Sequence, residues 1–210
     1  MKIAVFGATG RSGVPFVRQA LDRGHLVRAA GRSFEGLGIQ SENFDRVTCD
    51  VRDADAVKRA IDKTDAVVSL LGHSRDSSDT LLTQAAKAMV SKMESDGPQR
   101  ILILTGAGVR YPKDQPGFID KLIRFVLKSM QPVLLADSKS YSRVIMDSSL
   151  DWTVVRAPML TEKEGNGTYR VGYVGTGPGP KASRQNVATF ILDELEKNEH
   201  LRDAPMVSDR

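Results

Sequence analysis

The strand-like stretches of this chain are apolar without alternating. AVVSLL at 66–71 and ILILT at 101–105 lack the polar residue at every second position that a half-solvated strand shows. Strands buried on both faces read this way, and they need helices above and below a largely parallel sheet. The segments between them supply such helices. In VPFVRQALDRG (14–24), Val14, Val17 and Leu21 share one helical face, Pro15 sits in the first turn and Gly24 ends the pattern. KIAVF (2–6), HLVRAAG (25–31), RVTCD (46–50), DAVVSLLG (65–72) and QRILILTGAG (99–108) read as five strands. DADAVKRAIDKT (53–64), capped by Asp53 or Asp55, and a longer stretch over about 78–95 read as helices. This order predicts a doubly wound α/β sheet.

Beyond residue 108 the pattern loosens. A Pro/Gly loop spans 109–117, and two helical patterns, 118–130 and 133–149, meet near Gln131-Pro132. DWTVVRAPM (151–159) reads as a sixth strand and its exit, 167–180 has short strand character, and 183–198 reads as a helix capped by Ser183. With 210 residues and no linker composition, one domain over 1–210 is expected, with a small irregular C-terminal flank whose substrate side covers about 157–182.

The first strand runs into GATGRSG. Gly7, Gly10 and Gly13 have the spacing G-x-x-G-x-x-G, between a strand and a helix. Glycine there allows a tight turn, close approach of a diphosphate to the backbone, and close packing of helix on strand. The helix N-terminus then favours an anion. Gly7, Thr9, Gly10, Arg11, Ser12 and Gly13 are therefore candidate dinucleotide contacts within a Rossmann-type fold. A carboxylate at the end of strand two would bond a ribose 2′-hydroxyl. Here the strand ends AAGRS, so Arg32 and Ser33, with Arg11 opposite, point to a 2′-phosphate and to NADP(H). Asp50 and Val51 are candidate adenine contacts. Leu71, Gly72, Thr105 and Gly106 end strands four and five and leave room for cofactor and substrate.

Charge and cysteine content narrow the function classes. Lys and Arg number 30 against 26 Asp and Glu, a formal +4, with no basic run of the kind that marks a nucleic-acid arm. Cys49 is the single cysteine, so no internal disulfide forms, and its setting suggests an inert core thiol. His25, His73 and His200 are scattered, and no metal site is expected. No apolar run has the length of a membrane span, and Met1-Lys2 leads directly into a strand. A soluble cytoplasmic protein with a small-molecule substrate, no nucleic-acid or membrane partner and an undetermined oligomeric state is the expectation.

GATGRSG, the GRS after strand two, CDVRD at 49–53, SLLG at 69–72, SSLDWTVVRAP at 148–158 and ASRQNVATFIL at 182–192 resemble the atypical short-chain dehydrogenase/reductases. Within them, the chain is similar to the NmrA-like NAD(P)-binding group, in its biliverdin-IX-beta reductase (flavin reductase) branch. The resemblance implies NADP(H), contacts at Ala157 and Pro158 near the nicotinamide, and hydride delivery to a flavin, tetrapyrrole or quinone-like acceptor. Two departures stand out. The Tyr-x-x-x-Lys pair of typical members is absent, since Tyr141 is followed at 145 by Ile, with Lys139 at i−2. The branch's Thr-Ser and histidine positions hold Thr105-Gly106 and Met159. Catalytic candidates therefore reduce to Tyr111, His73 and Ser140, with Met159 and Tyr111 lining a substrate pocket, Tyr111 as a donor or lid. Asp137 shares the helix of Ser140. Arg156 reads as an ion-pair partner or loop clamp, and the glycines of 174–180 as a pocket border. A flavin acceptor can take its proton from water after the hydride arrives, so the missing acid does not exclude hydride transfer. The other reading is a regulator that binds NADP(H) without turnover.

Overall fold

The computed structural model describes residues 1–35, 37–73 and 78–210, with backbone alone at positions 119, 121, 123, 124 and 127. The first part alternates: β1 (Lys2–Phe6), α1 (Gly13–Asp22), β2 (Leu26–Gly31), β3 (Phe44–Thr48), α2 (Ala54–Ile61), β4 (Ala66–Ser69), α3 (Leu81–Asp96) and β5 (Arg100–Gly106). Two helices follow, α4 (Phe118–Met130) and α5 (Pro132–Met146), then β6 (Asp151–Ala157) and β7 (Met159–Thr161). The chain closes with β8 (Tyr169–Gly172), β9 (Lys181–Ser183), α6 (Arg184–Lys197) and β10 (Met206–Asp209).

Eight strands form one sheet in the order β3-β2-β1-β4-β5-β6-β10-β8. Every neighbouring pair is parallel except β8 with β10. This is the doubly wound Rossmann-type order, and its direction reverses between β1 and β4. Connections leave opposite faces there, which opens a crevice at the carboxyl ends of these strands.

The two faces of β1 explain the missing alternation. Ile3 and Val5 pack in a core with Phe16 and Val17 of α1 and with Val187 and Ile191 of α6. Ala4 and Phe6 pack on the opposite side with Val57 of α2, Met89 and Met93 of α3 and Ile145 of α5. All four β1 side chains are fully buried.

The C-terminal flank is more regular than the sequence suggests. β7 and β9 pair in parallel as a small separate sheet. β10 extends the main sheet beside β6, and β8 closes it antiparallel. Arg156 of β6 anchors this region. It is fully buried, its two Nη atoms donate to the two Asp114 carboxylate oxygens at 2.8 Å, and Nε donates to the Ala204 carbonyl at 2.8 Å. It thus clamps loop 107–117 to the approach of β10. No described helix is long and apolar enough to cross a membrane.

Candidate functional site

The glycine loop lies at the mouth of the crevice, and the packing around it requires glycine at positions 7 and 13. Gly7 has φ +79°, and an added Cβ would lie 2.7 Å from the Leu70 carbonyl oxygen. The Gly10 amide donates to the Gly7 carbonyl at 3.0 Å, closing the turn. A Cβ on Gly13 would collide with the carbonyls of Gly7 and Ala8. Gly13 therefore lets α1 start directly against the loop.

Helix termini show where an anion is missing from the protein itself. Asp53 caps α2 by accepting from the amides of Asp55 and Ala56, and Ser183 caps α6 by accepting from Asn186. Asp137 of α5 serves α3, accepting from the amides of Leu82 at 2.9 Å and Thr83 at 3.0 Å. At α1 Ser12 makes no capping hydrogen bond and the first turn holds no acid; α5 shares both features, but its first turn holds Pro132, which has no amide hydrogen to offer. The first amides of a helix have no intrahelical acceptor, so the α1 end has donors and a positive dipole to offer.

The crevice has a volume of about 860 Å³, within the range of small-molecule sites. Gly7, Thr9, Gly10, Arg11 and Ser12 line its glycine-loop side. Arg32, Asp50 and Val51 line the end beyond β2 and β3, Leu71 and Gly72 the end of β4. Thr105, Gly106, Ala157 and Pro158 line the floor at β5 and β6. The structure thus brings these fourteen sequence candidates together. Gly13 is buried behind the loop rather than in the cleft. Ser33 also lies outside it, exposed, with its hydroxyl accepting from the Glu35 amide at 3.3 Å.

The cationic end is built as follows. Arg32 is exposed and, among the described residues, makes no hydrogen bond or ion pair. Asp50 is held by Arg52, whose Nε lies 2.9 Å from Oδ1, and this contact lowers its pKa to about 2. Arg52 also lines the cleft and was not among the sequence candidates. Cys49 is buried beside it, and burial, with Asp50 and Asp53 nearby, pushes the thiol up to about 11, which suits an inert thiol.

The catalytic candidates separate. His73 lines the cleft, and its Nε2 lies 2.8 Å from Asp137 Oδ2. Asp137 already accepts from the α3 amides and from the Thr83 hydroxyl, so it holds the histidine Nε2–H as one more donor. Tyr111 does not line the cleft. Its ring stacks on Tyr173 with centroids 6.2 Å apart, and its hydroxyl donates to the Arg202 carbonyl at 3.5 Å. Ser140 is exposed outside the cleft, whereas Ser138 of the same helix lines it. Met159 is 58% exposed outside the cleft, and the next residue, Leu160, faces in. Tyr141 is fully buried and donates to the Ser69 hydroxyl at 2.6 Å; burial raises its pKa. Gln131, Leu134 and Leu135 from the start of α5 complete the wall. No group of three His, Cys, Asp or Glu among the described residues is placed to hold a metal.

A family model described as NAD(P)H-binding matches residues 7–198. The Bacillus subtilis (strain 168) uncharacterized protein YwnB is 26% identical over 214 residues, covering 95% of this chain and 94% of its own length. Among solved structures, a Veillonella parvula short-chain dehydrogenase/reductase in complex with NADP superposes with TM-score 0.80 at 16% identity, covering 99% of this chain and 94% of that one. A Streptococcus pneumoniae TIGR4 protein, SP1627, provisionally designated an NADH-flavin reductase, superposes with TM-score 0.78 at 22% identity, covering 100% of both chains.

Proposed function

The chain belongs to the NAD(P)H-binding family, and from that premise we propose that it is an NADPH-dependent reductase acting on a flavin, a quinone or a similar conjugated acceptor. The observation that carries this reading is one cleft holding three features: an α1 N-terminus without a side-chain cap, the exposed cationic Arg32 and an apolar wall of Pro158, Leu160, Leu134 and Leu135. The glycine loop fits a diphosphate, because Gly10 lines the cleft without a Cβ and Gly13 lets α1 begin directly behind it. Arg32 is the group that selects a 2′-phosphate, with no carboxylate at the end of β2 to prefer a hydroxyl.

When bound, the reduced nicotinamide supplies a hydride. The residues of the chain bind and orient. Ala157 and Pro158 would border the nicotinamide end, and the leucines of α5 and β7 offer an apolar wall to an aromatic ring. His73 is the cleft's imidazole, oriented by Asp137, and is the candidate to hold or pass a proton at the acceptor. A cytoplasmic site of action goes with this reading, because it needs a supply of reduced nicotinamide.

A non-catalytic NADP(H) sensor is the second reading, and the burial of Tyr141 favours it. The two separate in one assay: loss of NADPH absorbance near about 340 nm with FMN and quinones offered to purified protein. Turnover on a conjugated acceptor supports the reductase. Saturable NADPH binding without turnover on any of them overturns it in favour of the sensor.

A further inference from the structure

Beside the main cleft is a second cavity of about 270 Å³, and Arg184 borders both. Its side chain is only 9% exposed. Nη1 donates to Glu162 Oε1 at 2.8 Å, while its buried Nε has no partner among the described residues. The buried Thr161 hydroxyl is also without a partner among them. Arg11 approaches from the glycine loop, with Nη1 3.6 Å from the same Glu162 oxygen. One carboxylate oxygen therefore lies between two guanidinium groups, on a side chain that is 64% exposed and free to swing away. Arg18 and Lys163 add positive charge around the second cavity.

We propose that Arg184, Thr161 and Arg11 form an oxyanion subsite for the acceptor, with Glu162 as an internal stand-in that the acceptor's anionic group displaces. The proposal rests on the reductase reading and narrows its substrate class to conjugated rings that carry a terminal oxyanion. A buried donor without an acceptor is costly, and an oxyanion that takes the place of Glu162 brings several acceptor oxygens to the side of Arg184 and Thr161. The cofactor's own anions have other partners in this reading: its diphosphate the α1 N-terminus, its 2′-phosphate Arg32, while Arg11, expected from the sequence to face that phosphate, is turned toward Glu162 instead. Arg184 and Thr161 adjoin Leu160, on the apolar wall given to the acceptor. Ser183 already caps α6, so side chains rather than the helix end make this site.

FMN and riboflavin share a ring and differ in a phosphate, so they report on the subsite directly. Binding of each to the full-length protein loaded with NADP⁺ is measured by quenching of flavin fluorescence, where no hydride is available. Wild type is expected to bind FMN about tenfold or more tightly than riboflavin, as a charge-assisted contact implies. Arg184→Met and the near-isosteric Thr161→Val should each reduce that ratio, and Glu162→Gln should increase FMN affinity. The proposal is overturned by equal affinities in wild type, by binding of neither flavin, or by a ratio that survives both variants. A loss in Arg184→Met that falls on NADP⁺ instead also overturns it, assigning the arginine to the cofactor. Failure of the reductase reading is seen separately, as no NADPH oxidation with either flavin.

Discussion

Two glycines one turn apart should fail in opposite ways when replaced by alanine. At Gly13 the new Cβ would lie 2.6 Å from the Ala8 carbonyl carbon and oxygen, and nearer still to the Gly7 oxygen. These are backbone atoms and cannot step aside, so Gly13→Ala falls at the upper end of overpacking costs, about 3 kcal/mol. At Gly10 the Cβ meets a single atom, the Gly7 oxygen, at 3.2 Å, and φ is not positive. Alanine also restricts the unfolded chain, which returns about 0.4–1 kcal/mol. The two effects nearly cancel, and Gly10→Ala should unfold within about 1 kcal/mol of wild type. Its methyl group borders the cleft instead, where the diphosphate must approach. NADPH affinity should fall by about tenfold or more, or about 1.4 kcal/mol. Urea unfolding of the cofactor-free variants and NADPH titration of Gly10→Ala check this. A stable Gly13→Ala, or a Gly10→Ala that binds NADPH like wild type, would refute the reasoning.

Two further predictions concern the scaffold. Arg156→Met leaves the Asp114 carboxylate buried without its guanidinium partner, and should cost about 3–5 kcal/mol in urea unfolding; a loss under about 1 kcal/mol contradicts the clamp. Glu194 and His200 make a pH-dependent pair, with Nδ1 2.8 Å from Oε2. Burial raises the Glu194 pKa, but hydrogen bonds from the His200 ring and amide, with the charges of His200 and Arg100, outweigh it and leave the value lowered. The hydrogen bond to Glu194 raises His200 against the opposing effect of burial. The lowered acid contributes fully above its ordinary 4.5 and loses its contribution as pH falls through the folded value. The raised histidine contributes fully below its ordinary 6.5 and loses its contribution as pH rises through the folded value. The stability difference between wild type and His200→Asn should therefore be greatest between those two values and shrink on either side. A difference that is flat with pH contradicts the pairing.

The central strands could be read from the chain because burial on both faces leaves short apolar runs, here bounded by turn residues and alternating with helical patterns. The glycine loop could be read because close backbone approaches at Gly7 and Gly13 admit no Cβ, and Gly10 completes the spacing between a strand and a helix. What was not legible lies where the signal is carried by one or two residues. β10 is four residues long and holds Ser208 and Asp209, so neither length nor alternation marks it. β7 and β9 are three residues each, and their pairing depends on a long return of the chain. Around the site, errors of one or two positions decide direction: Leu160 rather than Met159 and Ser138 rather than Ser140 face the cleft. Tyr111 turns away because Tyr173 and the buried Arg156 provide it with a surface formed by distant segments. Arg52 could have been found as the basic residue two after Asp50. Arg184 reads as an ordinary surface arginine until its burial is seen.

In the proposed reading, the cationic group at the end of β2 selects the phosphorylated cofactor. The most direct measurement is the pair of dissociation constants for NADPH and NADH, in wild type and in Arg32→Ala. Wild type should bind NADPH more tightly than NADH, and the variant should lose about 1.5–3 kcal/mol for NADPH with NADH nearly unchanged. Equal losses for both nucleotides, or no loss for either, would contradict that reading.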